Sequence, residues 1–170
     1  MVRIATTLLV FAALSAWAGA QGPTAGLTAA DRLKLLRTNR VLIDNMVESG
    51  IDLARADTPL GRAEVCYRTA HSLGFAVQAA ADEQNPARVA ELCGHLDTVV
   101  RDALEPNLAD ATRTIPPGSP DESTLKKLRA TAVKDFDDLR GSIPAGGKVG
   151  GDARVKDAMG KLESLRDKLK

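Results

Sequence analysis

The stretch Thr58–Asn107, TPLGRAEVCYRTAHSLGFAVQAAADEQNPARVAELCGHLDTVVRDALEPN, decides how this chain folds. It opens on Thr58-Pro59 and repeats the device at Asn85-Pro86. A side chain able to cap free N–H groups, followed by a proline where no N–H is needed, starts a helix. After the first start, Leu60, Ala63, Cys66, Ala70, Leu73, Val77 and Ala81 recur at three- and four-residue steps. After the second, Val89, Leu92, Cys93, Leu96, Val100 and Leu104 do the same. Those steps place each set on one face of an amphipathic helix. The reading is a helical hairpin over 58–107 whose first arm ends near Asp82. Pro106 should kink or interrupt the second arm, because its ring clashes with the Asp102 carbonyl and it donates no hydrogen bond.

Outward from the hairpin the same logic continues. Thr28 can cap an earlier helix, with Asp31 in its first turn. Leu33, Leu36, Ile43, Val47 and Ala54 form its stripe, Leu35, Leu42, Met46 and Leu53 widen it, and it should end near Asp57. Downstream, Leu108–Thr114 adds a turn or two before the break Ile115-Pro116-Pro117-Gly118. Ser119-Pro120-Asp121-Glu122 is a capping box and opens a helix carrying Leu125, Leu128, Ala132, Phe136 and Leu139, which Gly141 can terminate. Residues 141–151 hold five glycines and a proline and read as a flexible loop. A last helix starts at Asp152, with Val155, Ala158, Met159, Leu162, Leu165 and Leu169 on one stripe.

Nothing after residue 20 alternates as a strand does. The expected fold is all-α, an antiparallel bundle of four to five helices. Residues 28–114 would form a three-helix core of antiparallel neighbours around the hairpin, because the turns between them are tight. Residues 115–170 would add two helices on looser connections, either mobile, binding a partner, or closing the bundle. Closing the bundle is the stronger expectation.

The first 20 residues read differently. Arg3 is followed by an apolar run from Ile4 to Leu14 and then by Ser15-Ala16-Trp17-Ala18-Gly19-Ala20. That is the layout of a cleavable export signal with an A-x-A site, cleaved after Ala20, and the run is short for a membrane span. Residues 21–27 would then be a disordered N-terminal segment. No membrane span is expected in the processed chain.

Removing residues 1–20 takes away Arg3, leaving 22 basic against 22 acidic side chains. Such a balance argues against nucleic acid, which selects for basic excess. Only Tyr67, Phe75 and Phe136 remain as aromatics, too few for base-stacking platforms. A protein partner is the expectation that survives.

All cysteines and histidines of the chain, Cys66, His71, Cys93 and His95, lie in the hairpin. Export favours a Cys66–Cys93 disulfide. Register opposes it: if the turn centres near Gln84, the two lie about nine residues apart along the axis, roughly 13 Å, against the 7 Å limit between Cα atoms. A zinc or copper site from His71, His95 and one or both cysteines is the main chemical alternative, since the histidines fall at similar heights. Against it, Cys93 and His95 point about 200° apart on a helix, and Cys66 and His71 also diverge. Covalent haem lacks its attachment motif, and the di-iron class lacks its Glu-x-x-His pairs. Ser142–Val149 is a near miss to a phosphate loop, with serine in place of the first glycine and valine in place of the final hydroxyl.

No cofactor and no catalytic constellation is read. The expected role is non-enzymatic, a binding or structural part in the cell envelope, periplasmic or secreted. A metal-binding bundle is the alternative, and a thiol pair responding to oxidation is a weaker one.

Overall fold

The computed structural model describes residues 28–169. The leader read over 1–20 and the segment 21–27 lie outside them. The chain falls into two units, Met1–Arg40 and Val41–Lys170. Of the first, the described part is Thr28–Arg40, almost all of it the opening half of helix α1 (Ala29–Arg55), with Leu33 and Leu36 exposed.

The second unit is all-helical, with no strand among its described residues. Helix α2 runs Pro59–Asp82, and the Thr58 hydroxyl accepts the Gly61 N–H at 3.0 Å as the cap-plus-proline signal requires. Helix α3, Pro86–Val99, starts the same way, with the Asn85 side chain accepting from the Arg88 N–H at 3.2 Å.

Between them the chain turns on Gln84, which takes a left-handed φ of 54°. The Gln84 N–H donates to Ala81 O and the Asn85 N–H to Ala80 O, so α2 closes in the paired-bond termination that usually carries glycine. Only glycine visits that region without a Cβ penalty. Gln84→Gly should therefore raise stability by about 0.5–1 kcal/mol in urea melts. An unchanged or lower midpoint would show that the Gln84 amide, which donates to Ala81 O at 3.2 Å, outweighs the backbone penalty.

Pro106 does not break the second arm. A π turn, Val100–Leu104, precedes it, and helix α4 continues from Glu105 to Thr114. The Glu105 N–H reaches back to Val100 O, five residues away. Two pressures favour the wide turn. It accommodates a proline that can neither donate nor fit under a regular i−4 carbonyl. It also corrects the drift of the apolar face. Leu96, Val100, Leu104 and Leu108 are spaced by four and are all buried. In a regular α-helix three such steps rotate by about 120°, and one extra residue in a turn removes about 100° of that.

Helix α5 spans Pro120–Ser142, capped by Ser119. The Glu122 carboxylate accepts from the Gly118 N–H, one residue before the cap, a small shift from the reciprocal bond a capping box makes. The segment expected to be a flexible loop is built into the core instead. α5 continues through Gly141, Ile143 and Val149 are buried, and a single turn, α6 (Gly147–Gly150), leads into helix α7 (Ala153–Leu169). The apolar Ile143 and Val149 drive this, since neither can stay in water without loss.

The core joins Cys66, Leu73 and Val77 of α2 to Leu92, Cys93 and Leu96 of α3, Leu108 of α4, Leu128 of α5, and Leu162 and Leu165 of α7. α2 packs against α3, α4 and α5, while α7 packs along α3 and against α5. The two C-terminal helices thus dock on the hairpin. The expected third core helix contributes less. From the Val41–Arg55 half of α1, Leu42 packs at the edge of the core, while Ile43, Val47 and Ile51 stay exposed. The apolar faces of α2, α3 and α4 are filled by α5 and α7, so α1 has little left to cover.

Candidate functional site

The structure separates the four hairpin residues. Cys66 and Cys93 are unbonded thiols sealed in the core, 3% and 0% exposed. Burial pushes the Cys66 thiol up, with the Arg62 charge pulling weakly the other way. Burial alone pushes Cys93 up to about 12. A thiol in that state is neither nucleophile nor ligand at neutral pH. His95 sits on the outer side of α3, its Nε2 3.9 Å from Glu91 of the same helix. His71 turns to α5. Among the described residues, no three His, Cys, Asp or Glu side chains gather where they could hold a metal ion. Val149, which stands where a phosphate loop needs a hydroxyl, is buried.

What the fold assembles is a different group. Tyr67, His71 and Phe75 are spaced by four along α2 and so share one face. Opposite them α5 presents Asp135. Its Oδ2 accepts from the Tyr67 hydroxyl at 2.6 Å and lies 2.7 Å from His71 Nδ1. A carboxylate only accepts, so Nδ1 carries the proton of this contact. Burial, then the hydrogen bond and charge of Asp135, drive the Tyr67 ionisation well above its ordinary range, which keeps the phenol protonated. The rings stack in sequence: His71 lies 5.7 Å from Tyr67, tilted, and 4.7 Å from Phe75, edge to face. Phe75 ends the ladder 61% exposed.

His71, Phe75 and Asp135 border an open cleft of about 250 Å³ between α2 and α5. Gly74 and Gln78 extend its α2 wall, and Asp138 and Leu139 its α5 wall. A Cβ added at Gly74 would meet nothing within 4 Å, so the glycine leaves one stretch of the wall low. Asp138 pairs with Lys134 of the same helix at 2.5 Å. The cleft lining includes no serine, threonine or cysteine. Asp135 orients the His71 imidazole and holds the Tyr67 hydroxyl with one carboxylate oxygen.

From the sequence, His71 diverges from Cys66 around the helix, and nothing singles out Asp135. The one local signal was the four-residue spacing of Tyr67, His71 and Phe75. Asp135 lies 64 residues beyond His71, and no local pattern links the two. The chain matches no family model, no curated protein and no solved structure. Its role is argued from geometry.

Proposed function

We propose that this is an exported, non-enzymatic helical bundle that binds another protein through the α2–α5 cleft. The observation that carries the reading is Phe75, held exposed at the mouth of the cleft by the edge of His71, which Asp135 fixes in turn. A pre-positioned aromatic beside a desolvatable cleft is what anchors a partner side chain. Asp135 and Asp138 along the opposite wall suit a lysine or arginine next to the partner's apolar residue. The export-signal layout read over 1–20 supports an encounter in the envelope or outside the cell.

The test is an isotope-edited NMR titration of the chain from Gln21 with an amphipathic peptide alternating lysine and leucine. Shifts should cluster at His71, Phe75, Gln78 and Asp138, and Phe75→Ala should abolish them while changing stability by no more than about 0.5 kcal/mol. Shifts scattered over the surface and indifferent to Phe75→Ala would sink the cleft as the site. Stoichiometric zinc or copper binding lost on His71→Ala would favour a metal carrier, and ready labelling of Cys66 and Cys93 in the native state a redox role. Mass spectrometry of the exported product checks cleavage after Ala20.

A further inference from the structure

We propose that a second cleft, between the end of α5, the 143–150 segment and α7, binds a small aliphatic monocarboxylate through Lys156. It has a volume of about 380 Å³ and shares no lining residue with the α2–α5 cleft. A volume of that order is typical of small-molecule sites.

The walls are held by the core. Ile143 and Val155 are buried, 8% and 1% exposed, and Gly150 lies tight against the Pro144 carbonyl. A cleft built on such fixed residues is formed before any guest arrives. Met159 is half-buried in it, and its unbranched thioether adapts to an irregular apolar guest. No aromatic ring lines the cleft, so nothing there selects a planar guest by stacking. Gly160 leaves one stretch of the α7 wall low, and a Cβ added to it would meet nothing within 4 Å.

Charge specifies the guest. Arg140, Lys156 and Glu163 are the charged residues of the lining. Glu163 is committed to Arg140, 2.6 Å away across the two helices. Lys156 makes no ion pair among the described residues. One positive charge is therefore left over beside an apolar floor. A carboxylate on an aliphatic body answers both features, whereas an amine would meet repulsion and an alcohol would leave the charge unanswered. Lys156, Met159, Gly160 and Glu163 lie along one face of α7. Lys156 and Glu163 are seven residues apart, about 10 Å along the axis at 1.5 Å per residue. With the carboxylate on Lys156, the Arg140–Glu163 pair closes the far end and limits the guest to a medium-length chain.

Octanoate is the probe, titrated at neutral pH by isotope-edited NMR into protein expressed from the full sequence in an exporting host. Shifts should cluster at Ile143, Lys156, Met159 and Gly160, with a Kd of about 0.1–1 mM for a guest of this size. Butyrate should bind about tenfold or more weakly, because most of the apolar chain is gone. Lys156→Gln should weaken octanoate about threefold and Lys156→Glu about tenfold, and neither touches the core because Lys156 is exposed. Gly160→Leu should abolish binding by filling the cleft. Its melting temperature should be no lower than wild type, since leucine forms helix better than glycine. No saturation by about 10 mM octanoate, shifts centred on α1 or Phe75, 1-octanol binding as tightly as octanoate, or full binding by Gly160→Leu or Lys156→Glu would each overturn the proposal.

Discussion

Gly150→Ala should destabilise the protein by about 3 kcal/mol or more, lowering the melting temperature by roughly 10 °C for a chain of this size. Gly150 closes the single turn α6 and is buried. A Cβ built there would fall inside the envelope of the Pro144 carbonyl oxygen and 2.8 Å from the Ala145 carbonyl carbon. Both are backbone atoms, so no side chain can swing away to make room. Either the turn opens and Val149 and Ile143 leave the core, or Pro144 shifts with them. The control is Gly160→Ala. Gly160 is exposed in α7 with nothing within 4 Å of its would-be Cβ, and alanine there should gain up to about 1 kcal/mol through helix propensity. Urea melts of the two variants decide the matter. A Gly150→Ala protein within about 1 kcal/mol of wild type would mean that the 143–150 segment is not packed as described.

Raising the pH above 9 should destabilise the protein. The Cys93 thiol ionises near 9 in the open chain and is pushed up to about 12 in the core. Below 9 both states hold the proton and nothing changes. Above 9 the unfolded chain releases it while the folded one still binds it, so stability falls as pH climbs towards 12. Each unit is worth about 1.4 kcal/mol, so roughly 2 kcal/mol is gone by pH 10.5 and about 4 by pH 12. Cys66 and Tyr67 are shifted the same way and steepen the upper part of the curve. Urea midpoints at pH 8, 9.5 and 10.5 should show this slope, and Cys93→Ala should flatten it while lowering the whole curve through the cavity it leaves. Parallel slopes for the two proteins would show that Cys93 reaches solvent in the folded state.

Much of the local architecture was legible before any coordinates. Thr58-Pro59, Asn85-Pro86 and Ser119-Pro120 each start the helix they announce, because capping is satisfied by atoms within three or four residues. The inward position of Cys66 and Cys93 followed from helical period for the same reason. Pro106 misled, since a proline can be absorbed by a wide turn when the apolar spacing beyond it rewards one. The glycines of 141–151 misled too. Glycine permits mobility, and it also permits the close approach that Gly150 makes to Pro144.

The amino-acid order by itself determined an all-helical chain, its helix starts, and the burial of its thiols, all matters settled within one turn or one face of a helix. Tertiary structure alone decided which faces meet. It set Asp135 against Tyr67 and His71, gave α5 and α7 the faces that α1 was expected to cover, and left Ile43 and Val47 in water. A helical stripe specifies that something must cover it, and only the competition among all the stripes for one core decides what does.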